Sequence, residues 1–364
     1  MRVIVDVMGG DHAPLEMLRG TVAAARESNA SYILVGNRDE ILAIAEENGY
    51  DLRTFDIVHT ETVITMEDDP LSVVRAKKDS SMSVGLRMLS EGKGDVFVSA
   101  GNTGALFTGA TLIVRKVRGI QRAAIGTVLP TESPCLLLDS GANVTVTDEY
   151  LEQFAVMGSA YMQKMYGMEF PAVGLLNNGT EDTKGTPLQI EANRRLSACD
   201  MINYVGNVEG NQVPFGACNV LVTDGFTGNV FLKTMEGVGR LLLRSVKDIF
   251  MQNGLTKLSA LMVKKSFAAM KKTYDPAEHG GAPFLGISKP VVKAHGSSDA
   301  RAFKNAIFEA IRYAESDVIY DIAAAAERFS ALRQAAREAE KSKNAEQRCE
   351  KQADSDETAT KGED

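Results

Sequence analysis

Short apolar runs rich in Val, Ile and Leu alternate along the chain with stretches whose apolar residues recur every third or fourth position. The first kind reads as buried strands and the second as amphipathic helices. Their alternation is the βαβ pattern of a Rossmann-like α/β fold, a mostly parallel sheet with helices on both faces. Strands are predicted over residues 1–7, 32–36, 55–59, 95–99, 123–129, 135–138, 172–176, 202–205, 220–222 and 291–294. Helices are predicted over 14–27, 38–48, from 70, over 80–90, 150–165, 230–252, 255–273, 299–314 and 317–340. This gives one α/β domain over residues 1–334, with a helical hairpin inserted at about 229–273. Residues 341–364 are rich in Lys, Glu, Gln and Ser with almost no apolar side chains, the composition of a disordered tail.

Polar chemistry gathers where the predicted strands end. The apolar run 220–222 leads into a turn holding Asp224, Gly225, Thr227, Gly228 and Asn229, after which helical spacing resumes. The run ending at Ser99 leads into Gly101, Asn102, Thr103 and Gly104, repeating the same Gly-x-Thr-Gly. A glycine-rich turn opening a helix presents backbone N–H groups to an anion. Each turn alone reads equally as an ordinary capped helix start, and neither matches a nucleotide-binding signature. Similar turns hold Gly9, Gly10, Asp11 and His12; Asp139 to Asn143; Asn177 to Gly179, leading on to Lys184; Gly206 to Gly210; and His295 to Ser298. Ligands of open α/β sheets bind outside the carboxyl ends of the strands, so these turns are expected to converge on one cleft.

The net charge of −8, with no stacking platform or long basic stripe, argues against a nucleic-acid partner. Residues 1–8 are too short an apolar run for a leader, and no stretch reaches the length of a membrane span. The four Cys and four His show no metal spacing, and no serine or cysteine nucleophile motif occurs. No metal or cofactor is expected. A cleft of N–H donors and amides with Asp11, Asp139, Asp224, Lys184 and His295 suits phosphate, itself a competent nucleophile. His12 and His295 read as site residues or as hydrogen-bonded structural histidines. Arg115, Lys116, Arg118 and Arg122 form either a solvated helix end or a dock for an acidic partner. The hairpin either packs on the body or a second subunit, or sets Met251, Leu255 and Leu258 against an anionic membrane surface.

The motifs MGGDHAP (from Met8), SAGNTGA (from Ser99), LDSGAN (from Leu138), GNVEG (from Gly206), VTDGFTGN (from Val222) and AHGSS (from Ala294) resemble, in this order, the phosphate acyltransferase family, PlsX. The likeness covers residues 1–330, with Val7 and His279 as visible departures from its pattern. It implies transfer of a fatty acyl group from acyl carrier protein to inorganic phosphate. It also implies a homodimer related in fold to isocitrate and isopropylmalate dehydrogenases and to phosphotransacetylase, cytoplasmic and peripherally membrane-associated. Its acyl phosphate product would feed a membrane glycerol-3-phosphate acyltransferase. On that likeness Gly9, Gly10, Asp11, His12, Gly101, Asn102, Thr103, Gly104, Asp139, Asn143, Gly225, Thr227 and Gly228 bind substrate. Asp224, Asn229, Lys184 and His295 carry the catalysis, and Arg115, Lys116, Arg118 and Arg122 dock the carrier protein. The sequence singles out no general base. A non-catalytic carrier-protein scaffold at the membrane surface is the alternative.

Overall fold

The computed structural model describes residues 1–274, 280–332 and 334. His279 and the charged tail therefore lie outside the described residues, as do the side chains of Leu261 and Phe267. The apolar runs form strands β1 (Arg2–Asp6), β2 (Ser31–Gly36), β3 (Phe55–His59), β4 (Val96–Ser99), β5 (Ala124–Leu129), β6 (Cys135–Leu138), β7 (Ala172–Asn177), β8 (Asn203–Glu209), β9 (Val220–Val222), β10 (Ala282–Leu285) and β11 (Val291–Lys293). The helices are α1 (Leu15–Glu27), α2 (Arg38–Asn48), α3 (Ser81–Ser90), α4 (Thr103–Gly109), α5 (Asp148–Tyr166), α6 (Pro187–Ser197), α7 (Gly225–Phe250), α8 (Gly254–Tyr274) and α9 (Ala300–Glu315), with a further helical stretch over 318–332. The helix expected from Pro70 is only a 3₁₀ turn, Pro70–Val74.

These strands join one sheet in the order β3-β2-β1-β4-β11-β10-β5-β6-β9-β7-β8. Neighbours are parallel except at β11–β10, β10–β5 and β5–β6. Those three antiparallel steps reverse the sheet. Strands β1 to β4 and β11 run one way, and β6 to β9 run the other. The strand-end turns therefore fall into two groups rather than the single set expected. The reversal turns on β10, which the sequence reading leaves inside a loop because Gly281 and Pro283 interrupt its pattern. A second difference lies in β8, which runs through the expected GNVEG turn to Glu209. Tyr204 pairs with Val173 and Gly206 with Gly174, so Val205 is bulged out, and Gly206 takes the bend at φ 97°.

Both faces of the sheet are covered. On one, Val5, Val98, Leu136 and Val220 pack with Phe154, Tyr161 and Phe303 of α5 and α9. On the other, Ile4, Phe97 and Phe284 pack with Leu86 of α3 and Leu106 of α4. Beyond its first turns, α7 leaves this body and pairs with α8. Leu241, Leu242, Ile249, Met251, Leu255 and Leu258 on this hairpin are exposed, Leu255 by 82%. No helix among the described residues is long and apolar enough to cross a membrane.

Two glycines of α7 show how differently its start and its middle are held. A Cβ on Gly228 would lie 2.0 Å from the Asp139 carbonyl oxygen, which is backbone and cannot swing aside, whereas a Cβ on Gly237 would meet nothing within 4 Å. Gly228→Ala is expected to destabilise by about 2 kcal/mol or more. Gly237→Ala is expected to stabilise by roughly 0.5–1 kcal/mol. Urea denaturation of both variants checks this; equal midpoints would show that α7 is not anchored at Gly228.

Candidate active site

The first group of turns lies beyond β1, β4 and β11. The last residues of these strands, Asp6, Ser99 and Lys293, are in register and buried. Ser99 Oγ donates to Asp6 Oδ2 at 2.7 Å and accepts from Gly101 N–H at 3.0 Å. Burial pushes the Asp6 carboxyl up against the opposing pull of donors from Ser99, Ser81, Met8 and Gly9. Above this row the turns touch. Asp11 N–H donates to Gly296 O at 2.8 Å, and a Cβ on Gly9 would meet Gly101 N at 2.7 Å. Gly9, Gly10, Asp11, Gly101 and His295 are thus neighbours, as expected, and His12 is exposed beside them. Lys293, buried beneath, donates to Ala100 O at 3.2 Å and to Ala294 O.

Asn102 serves architecture. Its Oδ1 accepts from Ala105 N–H as the α4 cap, and its Nδ2 holds the carbonyls of Thr65, Met66 and Asp68. Thr103 and Gly104 are already in α4 rather than in a loop. The backbone of this turn and the exposed Thr103 are left to face a ligand.

The second group lies beyond β6 and β9. Asp139, fully buried, accepts from the N–H groups of Ile125, Gly141, Ala142 and Asn143 and from Asn143 Nδ2. Asn143 O in turn accepts from Gly225 N–H at 2.7 Å. Asp224 is the α7 N-cap, its carboxylate accepting from Phe226 N–H, Thr227 N–H and Thr227 Oγ1. Three of its acceptor positions are thus used by the helix start. Gly225, Thr227, Gly228 and Asn229 are the first turns of α7, not a loop preceding it. The Asn229 side chain is exposed and lies against Gly141.

Helix α7 joins the two groups. Asn229, Lys233 and Glu236 follow at spacings of four and three, one stripe of a helix rising about 10 Å. Lys233 binds Glu236 at 3.0 Å, and both act on His295 of the first group. Loss of water around the His295 ring, then the Lys233 and Lys293 cations, push its pKa below the ordinary histidine value, with Glu236 and Asp11 opposing. Ser297 N–H donates to His295 Nδ1 at 3.2 Å, which leaves the proton of the neutral ring on Nε2. None of Lys233, Glu236, Asp6, Ser99 and Lys293 is a site residue in the sequence reading. Each of the last three is a single polar residue ending an apolar strand, a signal visible in the sequence.

Lys184 is exposed on the β7–α6 loop, its carbonyl accepting from Asn177 Nδ2. Arg115, Arg118 and Arg122 are exposed near the start of β5, Arg122 over the Tyr150 ring at 5.7 Å. Lys116 departs from the expected docking set. Half-buried, it donates to Gln121 O at 2.5 Å, and burial with Arg122 nearby pushes its pKa down. A depression of about 430 Å³ beside β8, walled by Val205, Asn207 and Phe215, holds none of these residues.

Comparison with known proteins places this arrangement. The fold resembles a phosphotransacetylase from Streptococcus pyogenes (TM-score 0.60, 17% identity, covering 86% of this chain and 94% of that one). It also resembles a phosphotransacetylase from Staphylococcus aureus (TM-score 0.58, 15% identity, covering 86% and 94%). In sequence the chain is 44% identical over 321 residues to a phosphate acyltransferase from Acetivibrio thermocellus, covering 88% of this chain and 94% of that one. It is 45% identical over 324 residues to a phosphate acyltransferase from Thermotoga neapolitana, covering 88% and 96%. Residues 1–321 match the model of the fatty acid synthesis protein family, and the chain belongs to that family.

Proposed function

We propose that the protein is a phosphate acyltransferase moving a fatty acyl group from the thioester of acyl carrier protein to inorganic phosphate. One observation carries this reading: α7 begins in a cage of amides and, two turns on, stands beside a neutral histidine and a buried cation. A phosphate oxygen attacks the thioester carbonyl carbon; the C–O bond forms as the C–S bond breaks. The proton carried by phosphate passes to the departing thiolate, so atoms and charge balance without a side-chain base. The exposed Asn229 amide, carried on the first turns of α7, faces the developing oxyanion. His295 Nε2–H donates to phosphate.

The acidic carrier protein is assigned to Arg115, Arg118 and Arg122, which are exposed and close in sequence. The α7–α8 hairpin is assigned to peripheral membrane contact. Its exposed Met251, Leu255 and Leu258 adjoin a groove of about 1070 Å³ lined in part by Lys247, Lys257 and Lys264, which suits an anionic surface. Acyl phosphate released there would reach a membrane glycerol-3-phosphate acyltransferase. A homodimer is proposed on the family likeness.

The deciding experiment is acyl phosphate formation, trapped with hydroxylamine, from palmitoyl-carrier protein with phosphate present or omitted. Asn229→Ala is expected to lower kcat by about 10²–10³ while the fold is kept; phosphate-independent product, or an active variant, would overturn the assignment. His295 sets an acid limb. Its neutral form keeps Nδ1 free to accept from Ser297, so kcat/KM should hold above its depressed pKa and fall as pH drops through it. In His295→Gln that limb should vanish, and its persistence would move the titration elsewhere. Charge reversal at Arg118 and Arg122 should raise KM for the carrier protein about tenfold and weaken the salt dependence, with kcat kept. An unchanged KM would exclude that surface.

A further inference from the structure

The lysine ending β11 has no part in the attack, the proton transfer or the partner contacts above, yet it is buried where a methionine would fill similar space. Asp6, Ser99 and Lys293 lie in register on three neighbouring parallel strands and share one face of the sheet. Ser99 links Asp6 to the Gly101 amide. The Lys293 ammonium donates to the carbonyls of Ala100 and Ala294, one in the turn before α4 and one beside His295. A single cation thus grips two turns of the site. The charges facing it are Asp6 of β1, Asp11 of the β1–α1 turn and Lys233 of α7, with His295 adjacent and Glu236 paired to Lys233. An anion arriving beside Asp6 and Asp11 meets repulsion unless a cation stands between them.

We propose that Lys293 is a positioning residue for the phosphate nucleophile: its ammonium fixes the Ala100 and Ala294 carbonyls in one frame and offsets Asp6 and Asp11 so that phosphate is accepted beside them. This rests on the acyltransferase reading above. Loss of water around the ammonium, against the pull of Asp11 and Asp6, brings its pKa down to about 8. The charge is therefore present below that pH and lost above it.

The test uses the full chain as wild type, Lys293→Arg and Lys293→Met. KM for inorganic phosphate is measured from about pH 7.5 to 9.5, with the rise in each protein's own Tm on adding phosphate. The wild-type KM should rise, approaching tenfold per pH unit above about 8, and kcat should change far less. Lys293→Arg stays charged and should hold KM flat. Lys293→Met should raise KM at the lower pH by about tenfold or more and lose the phosphate-induced Tm rise. A wild-type KM that stays flat with pH overturns the inference, as does a Lys293→Met protein with unchanged KM and Tm response. Should Lys293→Met not fold, the wild-type profile and Lys293→Arg decide. No phosphate-dependent product from folded wild type would overturn the acyltransferase reading instead. The Tm response to phosphate would still decide whether Lys293 serves a phosphate site.

Discussion

The second half of the site depends on one buried carboxylate. Asp139 accepts from four backbone N–H groups and the Asn143 amide, and no water is needed to satisfy it. Burial pushes its pKa up while the same amides pull it down, so the carboxylate and its cage are matched or neither is stable there. From this cage Asn143 offers its carbonyl to Gly225, and Gly228 seats against the Asp139 carbonyl. Asp139 therefore fixes the origin and direction of α7.

Everything that joins the two halves then follows from the phase of a helix. With Gly225 and Gly228 turned to the cage, Asn229 faces Gly141, and Lys233 and Glu236 come round toward His295. The reversal of strand direction at β10, β5 and β6 would otherwise separate the turns of the first group from those of the second. The first three turns of α7 are anchored on one group and electrically coupled to the other. The rest of that helix is free to serve the hairpin.

Most of the strands, the paired Gly-x-Thr-Gly turns and the hairpin are legible in the sequence because each carries a local signal: an apolar run, a glycine-rich break, a helical period. The failures are equally physical. β10 is four residues long and contains Pro283, so only its pairing with Val292 and Ile125 on either side reveals it. Reading 223–229 as a loop puts Asn229 out of phase with Lys233, and the stripe they share disappears. That Asp224 and Asn102 are helix caps is not legible either, because caps and catalysts draw on the same residue types. Conversely, Asp6, Ser99 and Lys293 lie 93 and 194 positions apart, and only strand register brings them together.

On the proposed reading, the division between the two groups matches where charge travels. Phosphate starts with the negative charge, and beneath the first group lies Lys293, an ammonium whose lowered pKa shows that burial opposes its charge. By linkage this disfavours folding at neutral pH, because between about pH 8 and the ordinary lysine value the unfolded chain holds the proton more readily. A structural lysine at that position would gain nothing from being charged. The oxyanion forms later and briefly, and facing it are neutral dipoles, the Asn229 amide and the α7 helix that carries it, which need no counter-charge and do not bind phosphate so tightly that it cannot react. A fixed cation under the nucleophile and preorganised dipoles under the transition state is the arrangement that favours the reacting state over the bound one.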